Sequence, residues 1–236
     1  LLVNLLDPQE GHGIYDPTAG SGGMLIESMR HVEEHGGDSR KCSLAGQELI
    51  QSTWMISKMN MILHGISSAD IRRGDTLEDP LHRQTRDGVE TLRRFDRVIA
   101  NPPFSQNYNE KEVAKKAFDR FPFSMPASGK KADFMFVQHM VASLKDDGKL
   151  AVVMPHGVLF RGGEEKKYRT HLINAGLLDA VIGLPSNLFY GTTIPACILI
   201  IDKAGRAERD AVLFINADHE FASLRNQNAL RPEDVA

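Results

Sequence analysis

The sequence predicts an α/β fold: a mostly parallel, seven-stranded sheet wound by helices on both faces, with one antiparallel strand near its edge. Two observations carry this expectation. Short apolar runs alternate along the chain with longer segments of helical period, which is the pattern of βαβ units. A glycine-rich turn separates the first such run from the first helical segment, where an open α/β sheet places its ligand crevice. The 236 residues, 42% hydrophobic and 25% charged, supply one sizeable core and exclude a disordered or fibrous chain.

The elements follow in order. Residues 1–6, LLVNLL, read as the last turns of a helix, and Pro232-Glu233-Asp234 reads as the opening of another. Residues 1–236 are therefore expected to be one catalytic domain, a fragment lacking an N-terminal helical region and a C-terminal extension. The first strand is expected at 13–15. Met24, Leu25, Met29 and Val32 then sit at helical spacing until Gly36-Gly37 stops the helix. A second strand falls at 43–46, and Ile50, Trp54, Met55, Met59, Ile62 and Leu63 mark a second helix ending at Gly65. A brief third strand surrounds Ile71, and 95–100 is the fourth. Residues 101–131 have no clean periodicity beyond a short helix over 113–118, and loops of that length in a compact domain are usually functional or disordered. Phe134, Val137, Met140, Val141 and Leu144 mark a helix expected to end at Gly148. A strand at 150–154, a helix over 164–174 and strands at 180–182 and 196–201 complete the pattern. The last two strands are joined through Gly191 and Pro195 by a segment without room for a crossover helix, so they are expected to run antiparallel. Residues 211–215 offer an additional edge strand.

Charge narrows the partners. Lys and Arg total 28 against 31 Asp and Glu, a net charge of −3, so the chain lacks the basic footprint of a self-sufficient nucleic-acid binder and any such contact must be local or shared. Its two cysteines, Cys42 and Cys197, are too few for a disulfide framework or a Cys zinc site. With no secretory signal and no apolar run near the ~18 residues of a membrane span, a reducing cytoplasm is expected.

Four motifs carry chemistry. Asp16-Pro17-Thr18-Ala19-Gly20-Ser21-Gly22-Gly23 follows a strand and opens a helix, so its glycines permit a tight turn and close backbone approach by a ligand. It lacks the Lys-Ser/Thr ending of a phosphate loop and does not fit G-x-G-x-x-G, which disfavours a nucleoside triphosphate or a dinucleotide. Glu48 ends the second strand, where an acid can accept from ribose hydroxyls, and Asp75 ends the third, where an acid can accept from an adenine amino group. Right-handed crossovers would bring Asp16, Glu48 and Asp75 to one crevice. The sharpest motif is Asn101-Pro102-Pro103-Phe104 after the fourth strand. An amide acceptor, two donor-free prolines with exposed carbonyls and a stacking ring suit a planar base bearing an exocyclic amino group.

With these residues the sequence resembles the S-adenosylmethionine-dependent amino-methylating DNA methyltransferases, and more closely the modification subunit of type I restriction-modification systems. Asp16 to Gly23 matches the family's cofactor loop and Asn101 to Phe104 its adenine-specific tetrapeptide. Asp133-Phe134-Met135-Phe136-Val137-Gln138-His139, Met154-Pro155-His156-Gly157-Val158-Leu159-Phe160, Leu184-Pro185 with Phe189, and Thr193-Ile194-Pro195 look like the type I subfamily. The resemblance implies a Rossmann-like methyltransferase fold, S-adenosylmethionine as cofactor, and methyl transfer to N6 of a flipped-out adenine in double-stranded DNA. Asp16, Thr18, Ala19, Gly20, Ser21, Gly22, Gly23, Glu48 and Asp75 would bind the cofactor, and Asn101, Pro102, Pro103 and Phe104 would be catalytic. It also implies a specificity subunit that reads the DNA sequence and a restriction subunit. The family's Phe-x-x-Pro-like cofactor segment, upstream of the first strand, is absent from these residues. Lys111, Lys115, Lys116, Arg120, Lys130 and Lys131 are candidate phosphate contacts.

Three rival readings stay open. The same fold also suits a stand-alone adenine methyltransferase, or one acting on RNA or protein glutamine. A non-enzymatic reading makes it a cofactor-binding scaffold for a specificity partner. His31-Val32-Glu33-Glu34-His35 fits the H-x-x-E-H pattern of a zinc protease, although no third ligand is evident.

Overall fold

The computed structural model describes residues 1–123, 131–189 and 193–235. A short helix α1 (Leu2–Leu6) precedes β1 (Gly13–Asp16), α2 (Gly23–Glu34), β2 (Ser43–Glu48), α3 (Gln51–Leu63) and β3 (Asp70–Arg73). A hairpin of β4 (Arg83–Arg86) and β5 (Val89–Leu92) leads to β6 (Phe95–Ala100), followed by α4 (Glu110–Lys115), α5 (Asp133–Ala142) and β7 (Leu144–Pro155). The chain continues through α6 (Gly157–Phe160), α7 (Gly163–Asn174), β8 (Leu178–Gly183), β9 (Ala196–Asp202) and β10 (Leu213–Asn216).

Among the described residues the main sheet has eight strands in the order β10-β8-β9-β7-β6-β1-β2-β3. The seven expected strands are joined by the additional edge strand, β10, which lies parallel to β8. β9 alone runs antiparallel, between β8 and β7. The expected turn through Gly191 lies outside the described residues; Pro195 accepts the His156 N–H across the strand ends at 3.0 Å.

Period-2 side-chain alternation divides the core into two layers. Tyr15, Val98, Val152, Met154, Leu199 and Ile201 face a cluster with Phe134 and Val137 of α5 and Leu172 of α7. Ile14, Ile99, Ala151, Val153, Ile198 and Ile200 face the opposite cluster, with Leu25 and Val32 of α2 and Met61 of α3. Burial on both faces is what parallel strands with crossover helices require.

Two expectations need correction. The helix does not run to Gly148: α5 ends at Ala142, and β7 begins at Leu144, which pairs with Phe95. Gly148 lies inside that strand near a register shift. A Cβ there would meet Leu144 Cδ1 at 2.7 Å and the Asp96 carbonyl at 3.1 Å, so glycine serves close approach and not helix termination. The short helix expected over 113–118 lies at Glu110–Lys115, because Phe118 and Asp119 both have positive φ, 49° and 55°.

The chain runs outward from β1 through β2 to β3, then returns to the other side of β1 as β6 and continues to β7. This reversal makes the carboxyl ends of β1 and β6 a topological switch point, the preferred crevice of open α/β sheets.

Candidate active site

A cavity of about 360 Å³ opens at that switch point. The exits of four strands wall it: Thr18 and Gly20 after β1, Glu48 ending β2 with Ile50 after it, Asp75 and Thr76 after β3, and Asn101, Pro103 and Gln106 after β6. Its size and mixed lining fall within the range of small-ligand clefts, about 300–1,000 Å³.

The acids differ in what they do. Asp16 is fully buried beneath the cavity and does not line it. Its Oδ1 accepts from the Thr18 N–H at 2.9 Å, while Oδ2 is buried with no partner among the described residues. Burial pushes its pKa up to about 7, with Glu48 adding to the rise and the Thr18 hydrogen bond opposing it. Glu48 ties the loop together: Oε2 accepts the Gly20 N–H at 3.0 Å and Oε1 the Ile50 N–H at 2.8 Å. Asp75 uses Oδ1 to accept from the N–H groups of Leu77 and Glu78 at 2.8 and 3.0 Å, and it lines the cavity.

The glycine loop divides as well. Gly20 has φ +54, and a Cβ there would meet nothing closer than the Thr18 carbonyl at 3.9 Å, so this glycine leaves open space at the cavity. Gly22 has φ +83, but a Cβ there would meet Met61 Cε at 2.6 Å and Ser57 Oγ at 2.8 Å. Its missing side chain lets α2 dock on α3. Ala19 is buried and donates its N–H to the Gln47 carbonyl at 2.9 Å. The Ser21 carbonyl accepts from Asn60, Gly23 begins α2, and none of Ala19, Ser21, Gly22 and Gly23 lines the cavity.

In the tetrapeptide, Asn101 is exposed at the cavity, and its side chain makes no hydrogen bond to the described residues. Pro102 is buried, Pro103 lines the cavity, and Phe104 is half-buried with its ring meeting Phe189 edge-on, 5.9 Å between centroids at 75°.

Several supporting residues escaped the sequence reading. Gln47, on the opposite face from Glu48, spans to the turn after β3: its amide donates to the Asp79 carbonyl at 2.8 Å and accepts from the Leu81 N–H at 2.9 Å. Leu49 and Ile50 expose an apolar shelf at the cavity mouth. Phe136 of α5 reaches the cavity from the segment after the tetrapeptide.

Three of the six expected basic residues are engaged within the protein. Lys115 pairs with Glu112 at 2.7 Å and Lys116 with Asp79 at 2.8 Å. Arg120 is 1% exposed, so its expected phosphate contact is corrected. It donates to the carbonyls of Thr76 and Leu77 at 2.8 and 2.6 Å and to those of Lys116 and Ala117. Its Nη1 lies 3.1 Å from His139 Nδ1, and His139 Nε2 lies 3.1 Å from the Tyr15 hydroxyl. Lys111 and Lys131 are exposed, and Lys130 lies outside the described residues.

His31 and His35 stack at 4.0 Å between centroids; His31 Nε2 is 3.0 Å from Asp7 Oδ1 and His35 Nδ1 is 2.7 Å from the His31 carbonyl. Among the described residues no three His, Cys, Asp or Glu side chains are grouped to hold a metal ion. No helix among them is long and apolar enough to cross a membrane.

Comparison with known proteins agrees with this architecture. A family model described as N-6 DNA Methylase matches residues 1–236. The Type I restriction enzyme MjaVIII methylase subunit of Methanocaldococcus jannaschii is 35% identical, over 100% of this chain and 41% of that protein. The crystal structure of the type I restriction-modification system methyltransferase subunit from Streptococcus thermophilus superposes with a TM-score of 0.84 at 34% identity, covering 99% of this chain and 48% of that one. The EcoKI M protein of Escherichia coli gives 0.75 at 25% identity, covering 99% and 50%. The chain thus spans about two-fifths to one half of the length of these three relatives.

Proposed function

Because the chain belongs to the N-6 DNA methylase family, we propose that it is the methyl-transferring part of a type I modification subunit, acting on N6 of adenine in DNA with S-adenosylmethionine. One observation carries the reading: Asn101, with a side chain unengaged by the described protein, opens on the same cavity as Gly20, Glu48 and Asp75. This shared cavity supports reading the tetrapeptide as the base-binding half and the strand-end acids as the nucleoside-binding half of one site.

The residues suit the cofactor. The orphaned Asp16 Oδ2 is a buried acceptor beneath a cleft that would receive a cation, Leu49 and Ile50 give an apolar bed for a purine, and Glu48 and Asp75 offer acceptors for hydroxyl and amino groups. Bound S-adenosylmethionine supplies a methyl group already activated on a sulfonium. The protein's task is then position and electrostatics. N6 of adenine is a poor nucleophile because its lone pair is delocalised into the ring. If the Asn101 side-chain oxygen and the Pro102 carbonyl accept its two hydrogens, the nitrogen would pyramidalise and aim its lone pair at the methyl. The new N–C bond would form as the S–C bond breaks, with the neutral thioether leaving and the surplus N6 proton passing to solvent. The adenine must leave the duplex to reach this site, and Phe104, braced by Phe189, offers it a stacking surface.

Gly20→Asn tests the cofactor half. Asparagine tolerates the left-handed backbone, and its side chain enters the cleft where a Cβ has room. Affinity for S-adenosylmethionine, measured by calorimetry in the full-length protein, should fall at least about tenfold, or ~1.4 kcal/mol. Unchanged affinity would remove this loop from the cofactor site.

With a net charge of −3, and with Lys115, Lys116 and Arg120 engaged internally, the chain has little charge to release counterions from DNA. We assign sequence reading and most of the affinity to a specificity partner, with a restriction subunit completing the assembly. The deciding experiment incubates the full-length protein with labelled cofactor and duplex DNA, with and without that partner. N6-methyladenine formed only in its presence is expected. Labelled RNA or protein in place of DNA would overturn the substrate assignment, and efficient site-selective methylation without a partner would make the protein a stand-alone enzyme.

A further inference from the structure

The residue after the tetrapeptide, Ser105, has φ +53, a left-handed conformation that a serine seldom adopts unless its surroundings hold it. What holds it is Asp133, the first residue of α5, itself 2% exposed. Asp133 Oδ1 accepts the Ser105 N–H at 2.7 Å, and the Ser105 hydroxyl lies 3.4 Å from Oδ2. Next to this contact the Ala132 N–H donates to the Gln106 carbonyl at 2.7 Å, so two consecutive residues at the start of α5 grip two consecutive residues beyond Phe104. No side chain caps α5 at Ala132; the carboxylate that could cap a helix start is used across the segment instead.

Asp133 is fixed from behind. Arg161, between α6 and α7, donates Nη2 to Asp133 Oδ2 and Nε to Glu165 Oε2, the latter at 2.6 Å. Glu165 is also 2% exposed. Arg161 can lie there because position 157 is glycine: a Cβ would stand 2.9 Å from its Nη1. Charge-assisted bonds in a buried setting are short and directional, which is what a fixed mount needs.

We infer that Asp133 is a positioning residue for methyl transfer: backed by Arg161 and Glu165, it holds the strained turn at Ser105 and thereby sets where Asn101 and Phe104 stand relative to the cleft. The inference rests on the proposed methyl-transfer reading, and Asp133 itself touches no reacting atom.

The test uses the full-length protein with its specificity partner. It compares Asp133→Ala, Asp133→Asn and Asn101→Ala by single-turnover methyl transfer, cofactor affinity and the folded fraction at assay temperature. Asp133→Ala should lower the transfer rate by about 10²-fold, the cost of an ångström-scale misplacement, with cofactor affinity unchanged. Asp133→Asn keeps an acceptor for the Ser105 N–H and loses the charge facing Arg161, so its rate should lie between wild type and Asp133→Ala. Wild-type rates in both Asp133 variants, beside an inactive Asn101→Ala, would overturn this inference alone. Loss of rate and cofactor affinity together, or an asparagine variant no better than alanine, would show only a general structural role and overturn it equally. An active Asn101→Ala would overturn the underlying reading as well.

Discussion

Replacing Asn101 by alanine in the full-length protein should lower the rate of methyl transfer by about 10²–10³-fold, or ~2.7–4 kcal/mol, the usual cost of removing one preorganised polar group from a transition state. The expectation rests on the difference between what this side chain does in the free protein and what it does during reaction. It is exposed at the cavity, with no hydrogen bond to the described residues, so its removal strands no buried partner. Thermal stability should therefore change by no more than about 0.5 kcal/mol. The groups assigned to the cofactor, Gly20, Glu48 and Asp75, are held by backbone bonds in which Asn101 takes no part, so cofactor affinity should also persist. Rapid-quench transfer under saturating cofactor and DNA separates these effects. A variant that turns over at the wild-type rate, or that loses cofactor affinity in proportion to rate, would deny Asn101 its part in activating the amino group.

The parts legible in the sequence were those with a period or a backbone-specific composition. Strands with both faces buried gave short apolar runs, and the antiparallel β9 followed from a connection without room for a helix. The β4–β5 hairpin was missed although its signal was present. Asp87 and Gly88 both have positive φ, 52° and 79°, as a type I′ turn requires, but their flanks, Arg83–Arg86 and Val89–Leu92, are mostly polar and exposed. The convergence of Glu48 and Asp75 was legible because topology alone delivers strand ends to one edge. Depth along that edge was not: Asp16 lies beneath the cavity and not in its wall. Nor does a chain of letters reveal which glycine faces a ligand and which a neighbouring helix, as Gly20 and Gly22 show. Asp133 and Arg161, 28 residues apart, join only through tertiary folding.

Arg120 is where composition misled most, and replacing it should have the largest effect on stability. In a segment carrying several lysines an arginine reads as a solvated charge awaiting phosphate, yet this one is 1% exposed and lies between the turn after β3 and α5. Burial pushes its pKa down to about 10, with Asp75 and Asp79 among the groups that oppose the fall, so it remains a cation at neutral pH. Its guanidinium reaches the Thr76 and Leu77 carbonyls from two nitrogens, a geometry that one ammonium does not reproduce. Arg120→Met preserves much of the volume and strands both carbonyls, each costing about 1–3 kcal/mol when left buried without a partner. The expected loss is about 2–6 kcal/mol; at roughly 2–4 °C per kcal/mol for a domain of this size, Tm should drop by about 4–24 °C. Because Thr76 and Asp75 border the cavity, cofactor affinity should weaken with it. The two readings of this residue separate cleanly in one pair of measurements. A phosphate contact would leave Tm in place and reduce the salt dependence of DNA binding by about one ion. A buried strut should lower Tm by the amount above and leave the salt slope of the folded protein unchanged, and a Tm within about 2 °C of wild type would refute it.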